Sequence, residues 1–228
     1  MMSALNARLL SAAELTRQGA VLADIGTDHA YLPLYLLSNG HISFAFATDV
    51  NEGPLASARA NAEEYGHTDK MSFVLTDGAT VLSDKGITDY SICGMGGELI
   101  ADIIDRAPHL AAEGINLILQ PMSRQEKLRT YLASHGFDIT CESYSFDAGK
   151  YYVCMLAVYT GKCREISALE SYIGFKNSSI RNKECHKSYL EAKIKSMRRA
   201  LDGKKSAGIY DATEEQIIEQ ISEYIKNL

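Results

Sequence analysis

The sequence predicts an α/β fold, an open and mostly parallel sheet that ends in an antiparallel hairpin and is followed by a helical extension. Three observations carry that prediction. From Ala20 to Leu132, short apolar runs alternate with helical periods; Phe137 to Tyr144 and Tyr151 to Tyr159 then follow each other across only the polar turn Asp147-Ala-Gly-Lys150; and beyond Lys162 apolar residues recur at spacings of three and four. The expected division is therefore 1–161 for the sheet domain and 162–228 for a basic helical hairpin.

Met1 to Gln18 reads as a short helix with Leu5, Leu9 and Ala13 on one face. Ala20 to Asp24 is the first strand; it turns at Gly26 and passes into a helix through Pro33. Ser43 to Thr48 is the second strand, ending at Asp49, and Asn51-Glu-Gly-Pro54 opens a helix with proline in its first turn. Met71 to Thr76 ends at Asp77-Gly78, and Asp89 to Cys93 ends at Gly94-Met-Gly-Gly97, before Leu99, Ile103 and Ile104 resume a helical period. Ile115 to Leu119 is continuously apolar, as a strand buried on both faces should be, and closes at Gln120-Pro-Met-Ser123. In the extension, Ile166, Leu169, Ile173, Ile180, Leu190, Ile194, Met197 and Leu201 read as one long helix with a phase shift. A break falls at Gly203 to Gly208, and Thr213-Glu-Glu-Gln216 is a capping box for a second helix carrying Ile217, Ile221, Tyr224 and Leu228.

Composition narrows the class. At 228 residues, 46% hydrophobic and 23% charged, the chain suits one domain with a full core plus an appendage. No early apolar run reaches the length of a signal peptide or a membrane span, so a cytoplasmic protein without membrane contact is expected. The five cysteines never fall as C-x-x-C, which argues against a disulfide framework and a metal site.

The first turn sets the chemistry. Asp24 and Asp28 place two carboxylates beside Gly26, and the chain has neither a G-x-G-x-x-G nor a G-K-[ST] phosphate loop. A cationic ligand fits that turn better than a pyrophosphate, and S-adenosyl-L-methionine carries a sulfonium and an ammonium. The same residues would also serve a turn that only caps the next helix. Five βα units and a hairpin are the arrangement of the class I methyltransferase sheet, in which Asp49 stands where doubly wound folds hold a ribose. Asp77 is placed to accept from an adenine amino group, and Gly78 to leave room for the ring. The candidate donor-binding residues are Asp24, Gly26, Thr27, His29, Asp49, Val50, Asp77, Gly78, Cys93, Gly94 and Met95. His29 has two readings, a donor to the ligand's carboxylate or a helix cap. Gly94 to Gly97 likewise reads as a wall for an entering base or as a close turn between strand and helix.

Asp24-Ile-Gly-Thr-Asp-His-Ala-Tyr-Leu-Pro33, Glu52-Gly-Pro54, Asp77-Gly78, Ile92-Cys-Gly-Met-Gly-Gly97, Leu119-Gln-Pro121 and Leu128-Arg-Thr-Tyr-Leu132 resemble the bacterial tRNA (adenine(22)-N1)-methyltransferase family. The resemblance implies a Rossmann-like methyltransferase domain, a C-terminal coiled-coil extension, S-adenosyl-L-methionine as donor and tRNA as acceptor. Met122 departs from the asparagine expected in many members, and Asp49 from the glutamate of some. Adenine N1 has an in-plane lone pair and no proton, so the reaction needs positioning and charge stabilisation rather than a base. Asp28 is the candidate for stabilising the charge, and Tyr31 for stacking on or orienting the base.

From Lys162 to Lys205 there are twelve Lys and Arg against five Asp and Glu, whereas residues 1–161 have ten against nineteen. A basic arm on an acidic domain suits an RNA, although a charge-rich helix is also an ordinary solvated face. A monomer that binds tRNA is the expected state. Two other readings stay open: a methyltransferase of the same fold acting on another RNA position or a small molecule, and a non-catalytic RNA-binding protein with a vestigial donor pocket.

Overall fold

The computed structural model describes residues 5–208 and 212–228. The first four residues of the Met1–Gln18 pattern lie outside that range. Eight strands form one sheet in the order β3-β2-β1-β4-β5-β7-β6-β8. β1 (Ala20–Ile25), β2 (Ile42–Asp49), β3 (Met71–Leu75), β4 (Asp89–Gly96) and β5 (Asn116–Ser123) run parallel. β6 (Phe137–Asp147) and β7 (Lys150–Tyr159) form the expected hairpin, with β7 antiparallel to β5. The reversal of strand order between β1 and β4 is the topological switch point at which doubly wound sheets bind ligands.

Helices cover both faces because the parallel strands are apolar on both sides. On one face α1 (Ala7–Leu15), α2 (Tyr31–Ser38) and α3 (Glu52–Glu64) bury Ala12, Leu15, Leu34, Leu36 and Ala58 against Leu22, Ala45 and Ile118. On the other, α4 (Gly97–Asp105) and α5 (Gln125–Ser134) bury Ile100, Ile104, Leu128 and Leu132 against Ile92, Leu117 and Leu119. Asn6 starts α1 by accepting from the Leu9 N–H at 2.9 Å, which settles where the first helix begins.

The extension differs from the long helix the sequence predicts. Residues 162–206 form α6 (Ala168–Ile173), β8 (Ser179–Arg181) and α7 (Lys183–Ser206), and β8 pairs parallel to β6. Gly174 ends α6 at φ +105°, and Asn182, at φ +58°, opens α7 by accepting from the Cys185 N–H at 3.1 Å. α7 runs through Gly203 without a break, and the positive φ comes at Gly208. α8 (Ala212–Lys226) packs on α7 as the second member of a helical pair, burying Ile217, Ile218 and Ile221 but leaving Leu228 exposed. It spans Ala212–Lys226, with Thr213 in its first turn, and residues 209–211 lie outside the described range.

The boundary at residue 161 does not coincide with a break in the core. Phe175, Tyr189, Leu190, Met197 and Ile221 belong to the same buried cluster as Leu128, Phe137 and Val153. Across that junction lies a buried ion pair, Arg129 with Glu142, at 2.7 Å from Nε to Oε1 and 3.1 Å from Nη2 to Oε2. Arg129 Nη1 also donates to the Ser171 carbonyl at 2.8 Å, and the Tyr144 hydroxyl donates to Glu142 Oε2 at 2.5 Å. Burial works against the Arg129 charge, but the Glu142 carboxylate outweighs it and the guanidinium stays firmly protonated.

His186 of α7 sits in this junction with its ring 4.4 Å from that of Tyr144. Burial pushes its imidazole below the usual histidine range. The native state therefore binds fewer protons there than the unfolded chain, and stability falls as pH drops through the unfolded histidine range near ~6.5. Thermal melts should show a lower midpoint at pH 5 than at pH 7, and His186→Gln should flatten that difference.

Candidate active site

The site begins where β1 stops. Asp24 lies opposite Ala47 of β2 and Ser91 of β4. Ser91 Oγ donates to its Oδ1 and Thr27 Oγ1 to its Oδ2, each at 2.7 Å, so the carboxylate is fixed in place. Burial pushes its carboxyl above the usual range, while the two hydroxyls and the Arg8 guanidinium pull it back. A cation placed beside it would meet a pre-oriented carboxylate that gains from the charge.

The turn that follows is held by backbone. The Thr27 N–H donates to the Thr48 carbonyl at 2.7 Å, tying the turn to the end of β2. Gly26 has φ +71°, and the Met95 methyl occupies the space a Cβ would take, so glycine serves both the backbone conformation and the close approach of Met95. His29 and Ala30 are also left-handed, at φ +61° and +56°, an uncommon state for residues with a Cβ. Asn61 supports it by donating to the His29 carbonyl at 2.9 Å.

Of the two readings of His29, the cap is not the one found. Ala30 occupies the cap of α2 without a side-chain bond, and His29 Nε2 instead lies 3.1 Å from Asp28 Oδ1. Its ring stacks on Tyr31 with centroids 5.3 Å apart. Asp28 itself is 82% exposed, free to meet an incoming group.

Asp24, Gly26, Asp28, Tyr31 and Cys93 line one cavity of about 220 Å³ together with Asn6, Arg8, Leu9 and Leu32. Asn6 and Arg8 are functional candidates that the sequence reading missed. Arg8 Nη1 donates to Gln120 Oε1 at 2.7 Å, and the Gly94 N–H donates to the same oxygen at 3.1 Å. Gln120, wholly buried at the end of an apolar strand, thus ties α1 to the end of β4. Its polarity within that strand was a readable signal, as was Ser91 inside buried β4. Arg8 gave no such signal, because its partner lies 112 residues away. Burial, then the nearby Asp24, pushes the Cys93 thiol up to about 12, so it stays neutral.

The glycine run after β4 divides between its two readings. Gly94, at φ +82°, is exposed and approached by Arg8, whereas a Cβ on Gly97 would overlap the Arg124 carbonyl, so Gly97 serves packing of α4 on the α5 entrance. Asp49, half-buried, closes β2, and its Oδ1 accepts from the Asn51 N–H at 2.7 Å. Val50 and Leu75, large apolar side chains at neighbouring strand ends, are both exposed. Asp77 is not a free acceptor: Arg106 Nη1 lies 2.6 Å from Oδ2, and this hydrogen bond holds the carboxyl below its usual range. Gly78 takes φ +73°, and a Cβ there would make ordinary contact with Ile103, so its backbone conformation rather than space explains the glycine. Among the described residues there is no cluster of His, Cys, Asp and Glu able to hold a metal ion, and no helix long and apolar enough to cross a membrane.

A doubly wound sheet with a terminal hairpin, carboxylates at the ends of β1 and β2 and no phosphate loop defines a class I methyltransferase domain, and residues 5–155 match the family model described as a methyltransferase domain. The chain is 35% identical to the tRNA (adenine(22)-N(1))-methyltransferase of Bacillus subtilis over 67% of its own length and 64% of the relative's. A Streptococcus pneumoniae protein solved in complex with S-adenosyl-L-methionine is 32% identical, with a TM-score of 0.79 over 94% of this chain and 97% of that one. M. capricolum TrmK, solved with S-adenosyl-homocysteine, is 29% identical, with a TM-score of 0.80 over 99% of both chains. The chain belongs to the bacterial tRNA (adenine(22)-N1)-methyltransferase family, the TrmK-like proteins.

Proposed function

We propose that this protein transfers a methyl group from S-adenosyl-L-methionine to N1 of adenine 22 of tRNA. The observation that carries the reading is the cavity at the end of β1, where two carboxylates, Asp24 and Asp28, and one guanidinium, Arg8, line the same space. That set matches a zwitterionic amino acid tail with a reacting base beside it: Asp24 suits the ammonium, Arg8, with Nη1 held by Gln120, suits the carboxylate, and Asp28 is left for the base. The Asp49 carboxylate at the end of β2 suits a ribose hydroxyl, and exposed Val50 and Leu75 offer apolar surface to a purine. Arg106 holds the Asp77 carboxyl, two residues beyond Leu75, below its usual range.

The donor supplies an electrophilic methyl on a sulfonium. For their part, the chain's residues position and stabilise. Adenine N1 attacks with its own lone pair, so no proton need leave first, and the positive charge that develops on the base needs an anion nearby. Exposed Asp28 is that anion, and Tyr31, stacked on His29, orients the ring. Because N1 lies on the pairing edge, the base must leave its stack to reach them.

The C-terminal helices would supply the grip on RNA, on a smaller scale than the charge count of α7 alone suggests. Lys204 and Lys205 are paired with Glu214 and Glu215 of α8, and Lys193 is held by Gln125 and Glu126. Lys183, Lys187, Lys195, Arg198 and Arg199 remain exposed for phosphates.

Incubation of the purified protein with methyl-labelled donor and unmodified tRNA, followed by nucleoside mass spectrometry and mapping of the label, tests the reading. Label at N1 of adenine 22 is expected; label at another position, or none, sinks it. Asp49→Ala should weaken donor binding by about 1–3 kcal/mol, the cost of unpaired hydrogen-bonding groups. Unchanged affinity by calorimetry removes Asp49 from the site.

A further inference from the structure

A groove of about 640 Å³ runs between the end of β5, the tip of the β6–β7 hairpin and α7, and the donor-site chemistry does not account for it. Met122, Arg124, Lys150, Tyr151, Tyr152 and Lys193 line it. Its charge is positive. Lys193 is answered by Glu126 at 3.3 Å, whereas Arg124 and Lys150 form no salt bridge among the described residues and both are exposed. Arg124 sits at φ +56° at the entrance to α5, where Gly97 lets α4 approach its carbonyl. At the hairpin tip Phe146 is 54% exposed and lies 4.6 Å, centroid to centroid, from Tyr151. Tyr151 is half-buried against the core and backs the exposed Phe146 ring, and an exposed ring beside unpaired cations is the surface that single-stranded nucleic acids use for stacking and backbone contact.

β5 links the groove to the transfer site. Gln120, which holds Arg8 and the Gly94 N–H, contacts Met122 Sδ from its Nε2 at 3.7 Å, and Met122 is the first groove residue. In the sheet register Cys93 lies opposite Gln120 and Gly96 opposite Ser123, so the mouth of the groove opens at the strand end that the reacting base must approach. We propose that this groove holds the unpaired nucleotides flanking the target adenosine, with a base stacked on Phe146 and phosphates on Arg124 and Lys150. The inference rests on the tRNA reading of the acceptor. A protein segment is the competing occupant, but the pairing of an exposed ring with unanswered cations favours a polyanion with π faces.

The test uses full-length protein and two variants, Phe146→Ala and Lys150→Glu. For each, kcat/KM on unmodified tRNA should fall about tenfold or more, in line with the loss of one base stack or of a phosphate contact and its replacement by a like charge. Donor affinity by calorimetry and the melting midpoint should stay unchanged, because the altered side chains are at the surface. Independently, tRNA carrying 5-iodouridine should photocrosslink to the peptide spanning 146–152. Wild-type kcat/KM in both variants with no crosslink to that peptide overturns the proposal, as does loss of a co-purifying protein with tRNA kinetics intact. If wild-type protein does not methylate tRNA, the acceptor reading fails, and the crosslink still decides whether the groove takes RNA.

Discussion

Glu142→Ala should destabilise the fold by about 3–5 kcal/mol, the range expected when one partner of a buried ion pair is removed. Both side chains are fully buried, and Glu142 takes two bonds from Arg129 and one from the Tyr144 hydroxyl. Removing the carboxylate leaves a guanidinium that burial opposes, with two neutral carbonyls, those of Ser171 and Tyr172, and the Tyr144 hydroxyl to hold it but no countercharge. Such a loss is a large fraction of the stability of an ordinary domain. Denaturant unfolding measures it, and a paired replacement, Arg129→Met with Glu142→Leu, should recover much of the loss because it removes both charges at once. A change of under 1 kcal/mol in the single variant would mean that water reaches the pair and that the junction between α5, β6 and α6 is looser than its geometry implies.

The elements legible in the sequence are those whose signal is local. β1 to β4 are short apolar runs closed by Asp or Gly, β5 is one closed by Gln120-Pro121, and the hairpin needed only two adjacent strands and a polar turn. Gly26 and the acids around it could be read for the same reason, since turn chemistry acts over three or four residues. What could not be read depends on contacts between distant residues. β8 has three residues and exists because β6 offers an edge, and Ile180, taken as part of a helix, packs from that strand. Arg8 enters the site only because α1 folds back to Gln120. The charge of α7 is trimmed by α8, which contributes Glu214 and Glu215 from beyond the stretch whose charge was counted. Asp77 shows the same limit, as its carboxylate was visible in the sequence but its partner Arg106 was not.

Asp28→Asn should lower kcat by about 10²-fold, the scale of losing one group that stabilises developing charge, while donor affinity changes far less. Both Asp24 and Asp28 line the cavity, but they differ in what surrounds them. Asp24 is enclosed by Ser91 and Thr27 and can act only on what enters the cavity beside it, so it suits ground-state binding of the donor. Asp28 is largely exposed, with His29 at 3.1 Å, so under the proposed function it is the carboxylate that an acceptor base can reach. An interaction that strengthens only as positive charge builds on the base lowers the barrier without tightening the donor complex. Asparagine keeps the shape and the hydrogen-bonding ability but not the charge, so the variant isolates the electrostatic part. Single-turnover rates with saturating tRNA, alongside calorimetry of the donor, separate the two contributions. Equal losses in rate and donor affinity would make Asp28 a second binding carboxylate, and an unchanged rate would move the charge stabilisation elsewhere in the site.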